Sequence, residues 1–280
     1  MAGQWIGNRK GGECQMNITI TGNLGSGKSS VAKILKEKGY EYSSTGNVFR
    51  QLAMEKGLSV EEFNRQVNEA AERGDHSVDR MIDDTTARIG RERDRVVFDS
   101  RLAWHFAPKS FKVFIITDID EASRRVFHDS LRANSESYES QDACRKALVS
   151  RQKLETVRYK EIYDIDYYDM DNYNLVIEST NASPDEIAQE ILDRMADYQN
   201  GSFDKIMELN PSSIKTADHA VVKESDMVEV SERCGVFTLT AGKNKLDGAM
   251  TRGNRFVMVK VSSSEAGGED SFMNFANMVR

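Results

Sequence analysis

The sequence predicts an α/β fold in which a parallel sheet is flanked by helices, and three observations support this prediction. Five short apolar or β-branched runs between residues 16 and 178 alternate with segments of helical periodicity, which is typical of a parallel sheet. A glycine-rich loop and a helix directly follow the first run. The 280 residues are 39% hydrophobic and 30% charged, so the chain has enough apolar side chains for a buried core.

The glycine-rich loop has the pattern G-x-x-x-x-G-K-S, which is typical of a phosphate-binding loop between a strand and a helix. Glycines let the backbone curl so that several N–H groups point at one anion, and the helix N-terminus adds its positive dipole end. We expect Lys28 to reach the β- and γ-phosphates of ATP and Ser29 to bind Mg²⁺. The predicted ATP-binding residues are Gly22, Asn23, Leu24, Gly25, Ser26, Gly27, Lys28, Ser29 and Ser30.

The next segments place polar residues near the carboxyl edge of the predicted sheet. Residues 40–43 form a predicted second strand, and Ser44 or Thr45 can cap the helix that follows. Arg50 lies in the first turns of this helix, near the edge where ligands bind in such folds. On its own, an arginine at this position is more often a solvated helix residue. Residues 58–92 predict two further helices.

Two buried strands are predicted over residues 96–99 and 111–117. The first ends in Asp99, and Arg101 follows at its tip. An acid and an arginine at the carboxyl end of a strand are better placed for a ligand than for the core. A last strand over 174–178 and a helix that begins at Ser183 complete this part, and we place a domain boundary at residues 200–202.

A long charged helix is predicted over residues 141–162. Arg151, Glu155 and Arg158 lie at i, i+4 and i+7, so they share one face of this helix. Two interpretations are open: a solvated face with internal salt bridges, or a mobile basic lid that closes on phosphates. The spacing alone favours the solvated face, because charged helix faces are common.

Composition and charge exclude several classes of protein. The net charge of −7 argues against a general nucleic-acid-binding surface. Three distant cysteines without a C-x-x-C pair argue against a structural zinc site and fit a reducing, cytoplasmic setting. No apolar run is long enough to cross a membrane, and no signal-peptide core is apparent. Residues 1–15 are predicted to be a flexible extension.

Four motifs in this order resemble those of cytidylate kinases, most closely the short archaeal type. They are residues 22–29, the Ser44–Arg50 turn, the Phe98–Leu102 turn, and the segment from Arg151 through Arg158-Tyr159 to Asp166. The resemblance covers about residues 16–198. It implies a three-layer P-loop kinase fold with a helical lid, over residues 16–199, that transfers the γ-phosphate of ATP to CMP or dCMP.

The resemblance also implies roles for individual residues and reverses the preference for a solvated charged helix. Arg151 and Arg158 would be lid arginines that bridge the donor and acceptor phosphates, so they join Lys28 as predicted catalytic residues. Arginine suits this role because its guanidinium binds phosphate oxygens in a bidentate manner. The predicted acceptor-binding residues are Ser44, Arg50, Asp99, Arg101 and Glu155.

Two departures from the family pattern leave the acceptor open. Many bacterial cytidylate kinases have Arg-Asp where this chain has Arg101-Leu102, and the archaeal pattern has Glu-Gly where this chain has Asp99-Ser100. One base-reading carboxylate is therefore absent. The alternatives are a P-loop kinase for a shikimate- or sugar-like acceptor, and a protein that senses nucleotide and binds a partner.

Residues 203–262 predict a small α+β domain of strands, a glycine turn, a helix and a closing strand. This order resembles the ParB/sulfiredoxin-like domain, with Lys243 where sulfiredoxins have their nucleophilic cysteine. Gly242, Lys243 and Lys245 could hold an anion at the helix N-terminus. A structural role, as a site for a protein partner or for self-association, is an equal alternative. Residues 263–280 are predicted to be a mobile tail.

Overall fold

The structure is a computed structural model, and it describes residues 16–129, 138–216, 222–233 and 236–265. The predicted extension at residues 1–15 and most of the predicted tail lie outside the described residues. No helix within the described ranges is long and apolar enough to cross a membrane.

Within the described residues, ten strands form one sheet. Numbered along the chain, they are β1 (Ile18–Gly22), β2 (Glu41–Ser44), β3 (Val96–Asp99), β4 (Phe111–Ile116), β5 (Leu175–Glu178), β6 (Ile206–Leu209), β7 (Ile214–Lys215), β8 (Val228–Arg233), β9 (Val236–Ala241) and β10 (Val257–Glu265). Their order across the sheet is β2-β3-β1-β4-β5-β6-β10-β8-β9-β7. The first five strands of this order pair in parallel, which confirms the predicted parallel sheet and aligns the carboxyl ends of its strands at one edge.

Helices cover both faces of this sheet, as a three-layer fold requires. The single-turn helix Ala103–Phe106 and the 3₁₀ turn Met170–Asn172 are additions that the sequence did not indicate, and a further 3₁₀ turn covers Pro211–Ser213. The helices are α1 (Lys28–Glu37), α2 (Thr45–Glu55), α3 (Val60–Glu72), α4 (Ser77–Glu92), α5 (Ala103–Phe106), α6 (Ile119–Phe127), α7 (Gln141–Tyr163), α8 (Pro184–Gln199) and α9 (Lys243–Thr251).

Successive residues of the central strand β4 belong to different cores. Val113 and Ile115 pack in a cluster with apolar residues of α1 and α8, whereas Phe114 and Ile116 pack in a cluster with residues of α6 and α7. This alternation follows from the period of two in a strand. It places α1 and α8 on one face of the sheet and α6 and α7 on the other.

The C-terminal segment, defined here as residues 206–265, continues the sheet of the first 199 residues. Strand β6 pairs in parallel with β5, and β10 then pairs antiparallel with β6. Apolar residues of this segment, such as Leu209 and Val230, belong to the same cluster as Phe114. The predicted boundary at 200–202 falls in the connection between α8 and β6, and β10 extends to Glu265, past the predicted start of the tail.

Candidate active site

The phosphate loop connects β1 to α1 at the carboxyl edge of the sheet, and it needs glycine for two reasons. Gly25 and Gly27 have φ angles of 77° and 86°, a left-handed conformation that other residues rarely adopt. A Cβ on Gly22 would lie 2.1 Å from the carbonyl oxygen of Ile115, and a Cβ on Gly25 would lie 2.8 Å from that of Ala122. The glycines therefore allow both the turn and its close packing on β4 and α6.

Lys28 is the first residue of α1, and its side chain folds back over the loop. The ammonium donates hydrogen bonds to the carbonyl oxygens of Gly22, at 3.0 Å, and Asn23. It also lies 3.4 Å from the hydroxyl oxygen of Ser26. The positive charge is thus held above the curl of the loop, where a bound phosphate would contact it.

Asp99 lies against the phosphate loop at the end of β3, a contact that the sequence analysis did not predict. The hydroxyl of Ser29 donates to Oδ2 of Asp99 at 2.6 Å, and the hydroxyl of Tyr42 donates to the same oxygen at 3.1 Å. Burial and the neighbouring Asp99 raise the pKa of Tyr42. Asp99 is therefore joined directly to the predicted magnesium ligand.

The oxygen atoms of Ser29 and Asp99 fit Mg²⁺, which prefers oxygen ligands and is typically held by one or two protein groups together with substrate phosphates. The 2.6 Å hydroxyl–carboxylate contact brings both oxygens to one point beside the loop. Within the described ranges, no group of three or more His, Cys, Asp or Glu side chains could hold a metal ion.

Arg101 connects the phosphate loop to the long helix α7. Its guanidinium donates to the carbonyl oxygen of Gly22 at 3.0 Å and to Oε2 of Glu155 at 2.9 Å. Arg151 donates to the other oxygen of Glu155 at 3.0 Å. Burial raises the pKa of Glu155, but the two arginines outweigh burial and hold its pKa below the ordinary value. Arg101, Arg151 and Glu155 thus form one ionic cluster, and the contact between Arg101 and Glu155 is one that the sequence did not indicate.

Arg158 is held away from this cluster by helix α4. Its guanidinium Nη2 lies 2.8 Å from both carboxylate oxygens of Asp79. One turn further along α4, Asp83 accepts a hydrogen bond of 2.6 Å from the hydroxyl of Tyr163. Burial, with the nearby Asp79 and Asp84, raises the pKa of Asp83 to about 6 despite that hydrogen bond.

Ser44 and Arg50 lie at the start of α2, as predicted. The hydroxyl oxygen of Ser44 accepts a hydrogen bond of 3.1 Å from the backbone N–H of Asn47, so Ser44 rather than Thr45 is the N-cap. Arg50 is exposed and donates to the side chain of Asn47. The guanidinium of Arg50 therefore interacts with a residue of its own helix.

Two concave regions flank the phosphate loop. The lid-side cleft, of about 250 Å³, lies between the ends of β3, α4 and α7 and includes Asp79, Asp83, Asp99, Arg101, Arg151 and Glu155. The loop-side cavity, of about 480 Å³, includes Gly25–Gly27, Arg124, Arg125 and residues 179–182. The sequence analysis missed Asp79, Asp83, Arg125 and Ser179. Residues 179–180 directly follow a predicted strand, and that position could have indicated them.

The predicted C-terminal anion site is built around Gly242, which has a φ of 78° and precedes α9. A Cβ at Gly242 would lie 2.0 Å from the carbonyl oxygen of Met227, so this turn also needs glycine. Lys243 and Lys245 are exposed. The elements around the turn follow the predicted order, and anion binding there stays a prediction.

Comparison with known proteins identifies relatives of the N-terminal part of this chain. Residues 17–181 match the model of the cytidylate kinase-like family. A cytidylate kinase from Methanothermobacter thermautotrophicus is 36% identical over 163 residues, which cover 58% of this chain and 94% of the relative. One from Halobacterium salinarum is 33% identical over 187 residues, which cover 66% of this chain and 91% of the relative.

Among solved structures, a shikimate kinase from Acinetobacter baumannii in complex with shikimate aligns with a TM-score of 0.43 at 17% identity, covering 66% of this chain and 95% of that chain. Similarity at this level supports no conclusion about an acceptor. The family match, in contrast, spans more than half of the chain and contains the phosphate loop, Asp99, Arg101 and the lid arginines. This chain therefore belongs to the cytidylate kinase-like family, and the predicted nucleoside monophosphate kinase is confirmed at that level.

Proposed function

We propose that this protein phosphorylates CMP or dCMP to the diphosphate, with ATP as the phosphoryl donor. The observation that carries the proposal is the continuous chain of contacts from the phosphate loop through Arg101 to Glu155 and Arg151. It connects a triphosphate site to a cluster of arginines, and family membership supports a second nucleotide as the partner in the reaction.

The donor would lie with its phosphates in the loop and its base in the loop-side cavity. Backbone N–H groups of the loop and the positive end of α1 would hold the β- and γ-phosphates, and Lys28 would neutralise the charge that develops during transfer. The cavity volume of about 480 Å³ is within the range of small-molecule sites. Arg125, which lines it, offers a planar cation to an adenine ring.

Mg²⁺ would be held by Ser29 and Asp99, and it would supply neutralisation of the donor's phosphate oxygens. The Ser29 hydroxyl donates a hydrogen bond to Asp99. Because its hydrogen is directed at Asp99, the lone pairs of the Ser29 oxygen stay available to a cation.

The acceptor would lie in the lid-side cleft with its phosphate towards Arg101 and Arg151. One oxygen of that phosphate would attack the γ-phosphorus, a new P–O bond would form in line with the breaking bond, and ADP would leave. Little covalent assistance is needed, because positioning and charge neutralisation supply most of the catalysis in phosphoryl transfer. Arg158 would join once it exchanges Asp79 for a phosphate, and Ser44 and Arg50 would contact the acceptor from α2.

Asp83 lies further along the lid-side cleft and could replace the base-reading carboxylate that the sequence lacks after Arg101. Tyr163, which donates to Asp83, is eight residues beyond Glu155 on α7, or about 12 Å along the helix axis. A carboxylate there can accept a hydrogen bond from the amino group of cytosine, whereas the corresponding oxygen of uracil offers no donor. This chemistry favours CMP and dCMP over UMP.

A coupled assay of ADP formation tests the proposal, with ATP and Mg²⁺ and with CMP, dCMP, UMP, AMP and shikimate as separate acceptors. We expect CMP or dCMP to have the highest kcat/KM. Turnover of shikimate above that of the nucleotides would support the small-acceptor kinase instead. Nucleotide binding without turnover of any acceptor would support a sensor that binds a partner through the C-terminal segment. The cytoplasmic location and a partner or self-association role for that segment remain parts of the proposal.

A further inference from the structure

The loop that follows β5, residues 179–182, forms one wall of the loop-side cavity. It also contacts the phosphate loop directly, because the hydroxyl of Ser179 donates to the carbonyl oxygen of Ser26 at 2.9 Å. Ser179 is 3% exposed and Ser26 is 1% exposed. A displacement of this loop would therefore change both the cavity and the phosphate site.

Helix α6 and its N-cap residue, Asp118, contact the loop from one side. Arg125 on α6 donates to the carbonyl oxygens of Ser179, at 2.7 Å, and Thr180, at 3.1 Å. The hydroxyl oxygen of Thr180 accepts a hydrogen bond of 3.0 Å from the backbone N–H of Asp118. These contacts lie within the residues that the family model matches.

The C-terminal segment holds the same loop from the other side, through Glu178. This carboxylate at the end of β5 is 6% exposed. It accepts hydrogen bonds from the hydroxyl of Ser213 at 2.7 Å and from the backbone N–H of Asn210 at 3.0 Å. Burial raises the pKa of Glu178, and the donors that face it, from Ser213, Thr180 and Asn210, oppose this rise. The buried carboxylate thus depends on donors from beyond residue 181, where the family match ends.

The donors themselves are fixed within the C-terminal segment. Asn210 caps the 3₁₀ turn Pro211–Ser213 by accepting a hydrogen bond of 2.9 Å from the backbone N–H of Ser212. Helix α9 packs against this turn. The amide of Asn181 also reaches back to the hydroxyl of Ser213 at 3.4 Å. A continuous series of contacts therefore connects α9, through the 3₁₀ turn, to the loop 179–182 in the wall of the loop-side cavity.

We propose that the C-terminal segment helps to form the ATP site. Ser213 and the backbone N–H of Asn210 donate hydrogen bonds to Glu178, and Glu178 in turn positions the loop 179–182. The inference rests on the proposed function, because it takes the loop-side cavity as the site of the donor's base. Ser213 is a positioning residue: it does not line the cavity, and it acts on the donor only through Glu178 and Asn181.

The test compares four full-length proteins: the wild type, Ser213→Ala, Ser213→Thr and Ser262→Ala. Ser262 is the matched control, because its hydroxyl also makes hydrogen bonds in the C-terminal part of the sheet, with Thr240 and the carbonyl oxygen of Val230. The readouts are the Kd of a non-hydrolysable ATP analogue by calorimetry without acceptor, the KM for ATP and for CMP, kcat, and the thermal unfolding midpoint.

We expect Ser213→Ala to raise the Kd of the analogue and the KM for ATP by about tenfold, since a buried acceptor loses its partner, while kcat and the KM for CMP stay within about twofold. Ser213→Thr retains the hydroxyl and should restore ATP binding, and Ser262→Ala should bind like the wild type. If Ser213→Ala does not fold, Ser213→Cys, with a weaker donor, should give a smaller rise in the same direction.

Unchanged binding of the ATP analogue in Ser213→Ala or Ser213→Cys would overturn the inference. An equal loss of affinity for ATP and CMP would also overturn it, because that result indicates a less rigid protein rather than an effect on the ATP site. These outcomes leave the proposed function intact. A wild-type protein that fails to bind the ATP analogue would instead overturn the proposed function itself.

Discussion

The two sides of the phosphate loop differ in how rigidly the protein holds the residues proposed to bind each substrate. On the proposed donor side the loop is partly buried and held by glycine-dependent contacts with β4 and α6, and the ammonium of Lys28 is bonded to carbonyl oxygens of the loop. On the acceptor side, Arg151 and Arg158 are half exposed, and carboxylates of the chain itself occupy them. The proposed donor site is thus largely preformed, whereas a phosphate at the proposed acceptor site would have to displace or join existing ion pairs.

This contrast has a physical basis. The proposed donor site would use backbone N–H groups, which are fixed by the fold and need no side-chain ordering. The acceptor site uses long side chains from a helix, whose entropy and existing partners oppose binding until a phosphate arrives. Lids that close on substrate commonly have this character, because their contacts must form and break in each turnover.

The largest effect is expected at the preformed side. Lys28→Ala removes the charge above the loop, and we expect kcat to fall by about a thousandfold, as for loss of a group that stabilises transition-state charge. Lys33→Ala, an exposed lysine on the same helix, is the matched control and should retain activity in the coupled ADP assay. An unchanged phosphorylation rate in Lys28→Ala would exclude the loop as the donor site.

A smaller loss is expected at the junction of the two sides. Asp99→Asn keeps an acceptor for Ser29 and Tyr42 but removes the negative charge, and we expect kcat to fall by about a hundredfold. The concentration of Mg²⁺ for half-maximal rate should rise, because one anionic ligand is gone. Asp94→Asn, at an exposed acid before β3, is the control. If Asp99→Asn needs the same concentration of Mg²⁺ as the wild type, Asp99 is not a ligand of the metal.

A modest gain is expected on the acceptor side. Asp79→Asn weakens the ion pair that holds Arg158, so less free energy is needed to transfer this arginine to a phosphate. Since exposed ion pairs contribute about 0.2–1 kcal/mol, the KM for CMP should fall by about 1.4-fold to fivefold. Asp84→Asn, at an exposed acid on the same helix, should leave the KM unchanged. A rise in KM in Asp79→Asn would mean that Asp79 itself binds the acceptor.

The smallest effect concerns Asp83 and pH. Its folded-state pKa is about 6, above the usual value of about 3.9, so the folded chain holds this proton more tightly than the unfolded chain. The stability that this group contributes is therefore present below about pH 4 and is lost as the pH rises through about 6. Asp83→Asn cannot lose a proton, so its urea midpoint should rise relative to that of the wild type as the pH increases from about 4 to about 6. A difference that does not change with pH would contradict the raised pKa. Asp94→Asn, at an exposed acid that does not act on Asp83, is the control.

Most of the kinase fold could be predicted from the sequence, because its signals are local. The alternation of strands and helices, the glycine pattern before Lys28 and the capping residues each depend on neighbours within a few residues, and the structure has these elements close to the expected bounds. The shared face of Arg151 and Glu155 is also local, since helix geometry fixes it.

The partners of the site residues could not be predicted in the same way. Asp99 meets Ser29 across 70 residues, Arg158 meets Asp79 across 79, and Ser213 meets Glu178 across 35. Spacing in the sequence carries no information about such contacts, because they depend on strand order and on how helices lie across the sheet. Asp79 is also an ordinary helix acid in the sequence, and only its position opposite α7 distinguishes it.

The sequence by itself determined that the chain forms a parallel sheet with a phosphate loop after its first strand. Backbone conformation and apolar periodicity depend on residues that are close together in the sequence, so they can be recognised there. The tertiary structure alone decided that Asp99 faces the loop, that Arg158 is held by α4, and that the C-terminal segment adds strands to the kinase sheet. The physical reason is that hydrogen bonds between strands and ion pairs between helices form wherever the whole chain brings their partners together.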